Sequence, residues 1–233
     1  MDTSQVSSRS LVAEFLGTMG LIVAAIGSVV LVTQAGMGTP VPFEFILINA
    51  IAVGFVLFAL IESFGPLSGA HFNPAVTIAM TVSGDCSVKK AGLYIIVQMI
   101  GAFAGVMMVN MFYYDSLQEL FFVSDIPRDT AALFLSEVFC AFMLVAVIFS
   151  CVRSKSDKTS LVVGLFVGGM ILTTSSTMFA NPAVDFARIF TNAACGIEPL
   201  SALYFIVANI IGAIAAVPVF GWLYPKKGDG AGT

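Results

Sequence analysis

SGAHFNPAVTIA at residues 68–79 and FANPAVDFA at residues 179–187 share one triplet, as Asn73-Pro74-Ala75 and Asn181-Pro182-Ala183. Asn is a preferred helix N-cap and Pro the preferred first helical residue, so each copy reads as a helix start. Val follows both copies, and the apolar runs behind them are short, near 73–83 and 181–191. At about 1.5 Å per residue, neither run crosses a hydrocarbon core of roughly 30 Å. One Asn-Pro is common in turns. Two in matching contexts predict two short helices at equivalent points of a duplicated chain.

Around these segments the chain is written for lipid. It is 58% hydrophobic and only 10% charged, with a mean hydropathy of +1.00, whereas soluble domains carry about a quarter charged residues. Six stretches are long enough to span, near 11–33, 44–62, 90–113, 130–152, 161–177 and 200–224. The first is longer than a typical signal-peptide core and lacks a strong positive leader, so it reads as a span. The expectation is an all-α integral membrane protein with six transmembrane helices and two re-entrant half-helices.

Charge placement orients it. Arg9, Lys89, Lys90, Arg153, Lys155, Lys158, Lys226 and Lys227 fall on one side of a six-span arrangement, and only Arg128 and Arg188 on the other. The positive-inside rule puts both termini in the cytoplasm. Glu44, Asp115, Glu119, Asp125, Asp129 and Glu198 make the opposite side acidic. No basic patch is interleaved with aromatics, so nucleic-acid binding has no support. Cys86, Cys140, Cys151 and Cys195 show no metal-ligand spacing. Cys140 and Cys151 read as packing residues, and Cys195 as an extracytoplasmic thiol open to an intermolecular disulfide. With no nucleophile–base pair, phosphate-binding loop or metal cluster, neither an enzyme nor a cofactor is expected.

The two halves match beyond the triplets. Glu14 in AEFLGT pairs with Glu137 in SEVFCA, and IVQMIGAFAGV pairs with IVANIIGAIAAV. Three spans per half is an odd number, so residues 1–115 and 116–233 form repeats of inverted topology. Gly101 and Gly105, Gly164 and Gly168, and Gly212 with Ala216 place small residues four apart, the spacing that lets helices approach closely in lipid.

Irregular backbone at membrane depth survives only inside protein or beside water. Two half-helices entering from opposite faces therefore imply a water-accessible path. Their N-termini carry unsatisfied N–H groups and partial positive charge toward its centre. Asn73 and Asn181 offer amide donors there, and the chain at 69–72 and 178–180 offers carbonyl acceptors. A neutral solute moves from acceptor to donor, while a cation or proton meets a barrier.

These same stretches, SGAHFNPAVTIA and FANPAVDFA, resemble the aquaporin and glycerol-facilitator family of major intrinsic proteins, and the likeness covers nearly the whole chain. The resemblance implies passive conduction of water or small uncharged solutes, one pore per subunit, in a homotetramer in the plasma membrane. It also implies an arginine directly after the second triplet, where this chain has Val184; Arg188 follows one turn later. Residues 184 and 188 share a helix face, and long side chains lean toward the N-terminus. Arg188 therefore either reaches back to the constriction, or pairs with Asp185 or caps loop carbonyls. Counting without gaps from each Asn places the other constriction positions at Val53, Gly169 and Met178. This aliphatic set predicts passage of glycerol as well as water, in agreement with Asp185; the loop insertions common in the glycerol branch are absent.

Glu14 and Glu137, ionisable at membrane depth, are functional candidates. A proton-coupled secondary transporter would use them for coupling; the resemblance implies instead that they hold the loop backbone. A structural junction protein with an occluded pore is a third reading. His71, the only histidine, has no metal partners and resembles a pore-lining residue near the cytoplasmic mouth. The polar run from Thr173 to Thr177 suits a loop descending into the membrane.

Overall fold

The structure is a computed structural model that describes residues 6–34 and 42–225. Lys226 and Lys227, two of the orienting basic residues, lie outside the described residues. Within them the secondary structure is helical: α1 (Ser8–Gln34), α2 (Pro42–Ser68), α3 (Pro74–Val82), α4 (Val88–Phe112), the single turn α5 (Tyr114–Leu117), α6 (Ala131–Ser154), α7 (Thr159–Thr173), α8 (Pro182–Arg188) and α9 (Pro199–Leu223).

Five of these, α1, α2, α4, α6 and α9, are long and apolar enough to cross a membrane. The fifth expected span, 161–177, is corrected: α7 has 15 residues, about 22 Å at the usual helical rise. The Thr173 and Thr174 hydroxyls donate to Gly169 O and Met170 O, 3.0 and 2.7 Å away, and Thr174 is extended. The helix closes there because the chain must turn inward to deliver Asn181. The second half-helix likewise stops at Arg188, short of the expected 191. Arg188 O accepts from Ile197 N and Ile189 O from Ser124 N, so loop contacts replace the next helical turn. The second span instead runs longer than 44–62, to Ser68, where Gly69 turns at φ +91°.

Packing is paired. Helix α1 packs on α2 and α4, as α6 packs on α7 and α9, and α2 meets α7 across the middle. The half-helices are exchanged: α3 contacts α9, and α8 contacts α4. Close approach at two of these crossings requires glycine. A Cβ on Gly101 would sit 2.5 Å from Phe15 O, and one on Gly212 would run into Val138 O, so α4 and α9 lie directly against the α1 and α6 backbones.

Apolar side chains such as Phe55, Leu135, Leu165 and Trp222 are exposed on the outside, while Glu14, Gln98, Glu137, Asp185 and Asn209 are fully buried. That distribution fits a surrounding hydrocarbon solvent and a polar interior. At one end of the bundle Arg153 pairs with Asp85 at 2.7 Å and donates to Tyr224 O. Arg128 lies at the other end, its amide bonded to Ser201 Oγ and its guanidinium to Gly196 O and Ala194 O.

Candidate functional site

The centre is built by the two asparagines. Each caps its own helix: Asn73 Oδ1 accepts from Ala75 N at 2.8 Å, and Asn181 Oδ1 from Ala183 N at 2.9 Å. Each amide then crosses to the other half. Asn73 Nδ2 donates to Ala180 O at 2.8 Å, and Asn181 Nδ2 donates to Phe72 O at 2.9 Å. One amide hydrogen on each side is thus committed to the scaffold rather than to a solute, and the carbonyls of Phe72 and Ala180 are engaged as well.

The chain entering each half-helix is strained in the same pattern. Ala70 and Phe72 have φ of 51° and 47°, and the matching Met178 and Ala180 have 46° and 45°. Left-handed backbone costs a non-glycine residue about 1–3 kcal/mol, so something must hold it. Glu14 Oε1 accepts from His71 N (2.9 Å) and Ser68 Oγ (2.6 Å), and its Oε2 from Phe72 N (2.7 Å) and Gln98 Nε2 (2.8 Å). Glu137 accepts from Phe179 N at 3.0 Å and Ala180 N at 2.7 Å. Both carboxylates are occupied with loop N–H groups.

A cavity of about 110 Å³ follows this seam. Val152 and Thr159 line one end and Arg188 the other, with Gly69, Ala70, His71, Phe72, Met178, Phe179, Ala180 and both asparagines between. Val53, Met178 and Val184 line it. Gly169 does not: it lies on an outer apolar groove between α2 and α7 with Ile51, Phe55 and Leu165, and Ile171 takes the pore-facing place. Two residues, just over half a helical turn, separate the two positions, which is what the ungapped count missed.

Arg188 is buried, 3% exposed, with its guanidinium 3.9 Å from the centroid of the Phe179 ring. It makes no ion pair with Asp185, whose Oδ2 instead accepts from Asn209 Nδ2 at 2.9 Å. Arg188 lines the end of the cavity. An outer vestibule of about 340 Å³ shares Ile171 and Arg188 with that cavity and adds Asn49, Thr177, Arg128 and Cys195. Burial and the neighbouring Arg188 charge both lower the Arg128 guanidinium from its ordinary value. Burial pushes the Cys195 thiol up, against the pull of Arg188 and Arg128.

At the inner end His71 Nδ1 lies 3.0 Å from Thr77 Oγ1, which donates to Asn73 O and accepts from Gln98 Nε2. With the Thr77 proton committed to Asn73, this network assigns the His71 hydrogen to Nδ1 and leaves Nε2 an acceptor. Sequence reasoning missed Gln98, Thr77 and Asn209, the groups that brace the glutamates and half-helices. Their signal was present: Gln98 and Asn209 occupy equivalent places in the two matched stretches and are polar inside apolar spans.

A family model described as "Major intrinsic protein" matches residues 1–186. The chain belongs to the major intrinsic protein family. This major intrinsic protein is 37% identical over 216 residues to a protein of Rhizobium meliloti (strain 1021) named Aquaglyceroporin AqpS, covering 93% of this chain and 90% of that one. It is 30% identical over 186 residues to mouse Aquaporin-4, covering 76% of this chain and 57% of the relative. Its fold matches the X-ray structure of the aquaglyceroporin from Plasmodium falciparum with a TM-score of 0.69 at 23% identity, over 93% and 94% of the two chains. Family and helices together make it a multi-pass integral membrane protein.

Proposed function

We propose that this chain is a passive channel for water and small uncharged solutes of the glycerol class, and that it excludes ions and protons. The observation that carries the reading is the single cavity threading the two asparagines, apolar along most of its wall and polar along one seam. A neutral solute gives up water only where backbone carbonyls and the second hydrogen of each Asn amide replace it. An ion loses its shell against Val53, Val76, Val163 and Val184 and gains too little in return. The two half-helix N-termini meeting there add an electrostatic barrier to cations and protons. Relatives named as aquaglyceroporin and aquaporin support the same reading. The transporter alternative finds no matching observation, since both glutamates hold loop amides.

The constriction in this reading is Val53, Ile171, Met178 and Val184, with Arg188 as its one charged member. Apolar walls with a lone donor group favour the carbon face of a polyol and one line of hydroxyls, so glycerol passes beside water. His71 lines the cytoplasmic side, and Glu14 and Glu137 keep the loop carbonyls in register. The chain assembles as a homotetramer of two-repeat subunits (1–115 and 116–233) in the plasma membrane with both termini cytoplasmic, a state that sedimentation and terminal-label accessibility test.

Stopped-flow light scattering on proteoliposomes tests conduction, using gradients of an impermeant sugar and of glycerol. Fast water and glycerol responses with a low activation energy are expected; flux that requires a proton gradient would sink the channel reading. Val184→Arg narrows the wall and adds a second cation. It should lower glycerol flux about tenfold, in line with pocket discrimination between close analogues, and water flux less. An equal or greater flux of both solutes would remove Val184 from the filter.

A further inference from the structure

Two cations line the outer vestibule, and the carboxyl groups that act on Arg188 electrostatically, Asp185 and Glu137, do not line it. Arg188 and Arg128 place their guanidinium carbons 3.9 and 5.2 Å from the centroid of the same ring, Phe179. Among the described residues neither forms an ion pair, the one salt bridge being Arg153–Asp85 at the opposite end. Arg128 spends Nε and Nη2 on the carbonyls of Gly196 and Ala194. Arg188, 3% exposed, leaves its buried Nε without a hydrogen-bond partner. A buried, unpaired donor on a charged group costs far more than an exposed one, and such groups are normally satisfied.

Among the described residues none hydrogen-bonds that Nε. No acidic residue lines the vestibule, and residues 35–41, outside the described set, contain no carboxylate in sequence. Phe179 satisfies the charge only through its ring face, and two like charges share that ring. We propose that the vestibule binds a small monovalent anion of the halide class between Arg128 and Arg188. Its volume of about 340 Å³ accommodates the ion with part of its hydration shell. The apolar wall of Val29, Phe45 and Ile46 suits a weakly hydrated monovalent ion better than a divalent one, which holds its water more tightly. Inward of Arg188 the valine-lined cavity offers no compensation for stripping that shell, so the anion stays at the mouth.

Chloride-35 NMR line broadening on the full chain in a neutral detergent tests the site, with chloride titrated against gluconate at constant ionic strength. Saturable excess broadening, displaced by bromide or nitrate, is expected. Arg188→Gln and Arg128→Gln should each weaken it about tenfold, the scale of one lost charge-assisted hydrogen bond. Arg188→Lys, which keeps the charge, should retain most of it, and Arg153→Gln at the far end should leave it unchanged. Because Arg128 also ties down its loop, each variant is first checked for a monodisperse elution peak. Broadening in the parent that does not saturate, or that persists undiminished in a well-folded Arg188→Gln, overturns the proposal. Both results are independent of water conduction, which the light-scattering assay measures separately.

Discussion

Around α3, Glu14 accepts four hydrogen bonds, from two loop amides, Ser68 and Gln98, and Gln98 also reaches the neutral hydroxyl of Thr77. Around α8, Glu137 accepts from two loop amides, and Asn209, the counterpart of Gln98, donates to Asp185, the counterpart of Thr77. Both supports impose the same left-handed backbone two residues apart. The first does so with one buried carboxylate, the second with two. Each support leaves one amide oxygen, Gln98 Oε1 or Asn209 Oδ1, buried without a partner; the second adds Asp185 Oδ1, whereas in the first the corresponding Thr77 hydroxyl is fully engaged. Equivalent geometry therefore does not mean equivalent energetics: the α8 support buries one more carboxyl group, with one oxygen unpartnered.

The sharpest way to break the comparison is to remove each glutamate. Glu14→Ala strands two loop amides, a serine hydroxyl and the Gln98 amide, at about 1–3 kcal/mol per buried donor. Glu137→Ala strands two loop amides held in good geometry, while Ser176 and Asn209 are set less closely on that carboxyl than Ser68 and Gln98 on Glu14. Thermal unfolding in detergent should show both strongly destabilised and Glu14→Ala the more so; the reverse order would mean that solvent reaches the first loop.

Exchanging the differing residue sharpens it further. Thr77→Asp places a second carboxylate beside Glu14 and discards a satisfied hydroxyl. An ionisable group buried at a helix centre costs on the order of 3 kcal/mol, so the unfolding temperature should fall well below that of the parent. The smallest effect runs the other way. Asp185→Thr gives α8 the chemistry of α3, and relief of a buried, incompletely hydrogen-bonded carboxyl group should stabilise by about 1–2 kcal/mol, with the osmotic water response retained. Destabilisation by this exchange would show that the Asp185–Asn209 bond contributes more than burial of the carboxyl group costs.

Much of this was legible in the residues. The triplets locate both half-helices because Asn-Pro is a local signal whose capping geometry needs no tertiary context. The glutamate pair was legible from repeat alignment. Boundaries set by long-range contacts were not. The early end of α7 depends on where its chain must deliver Asn181, and the end of α8 on bonds to Ser124 and Ile197. Gly169 was misplaced because counting fixes a position along a helix but not its rotation about the axis. Arg128 entered only as an orienting charge, since its approach to Phe179 joins segments remote in sequence.

The crossed bonds of Asn73 and Asn181 also have a consequence for how the protein is made. Each joins residues more than a hundred positions apart, Asn73 to Ala180 and Asn181 to Phe72. Contacts of such separation form late, after the intervening chain has been ordered. The first three long helices and α3 can insert while translation continues, but the strained turn before α3 has no partner across the centre until residue 181 has left the ribosome. The pore therefore closes only after the second triplet has been made. A nascent chain halted before that point would hold a polar loop in the bilayer with nothing to complete it, so the segment around Asn181 is the one that finishes the first half as well as the second.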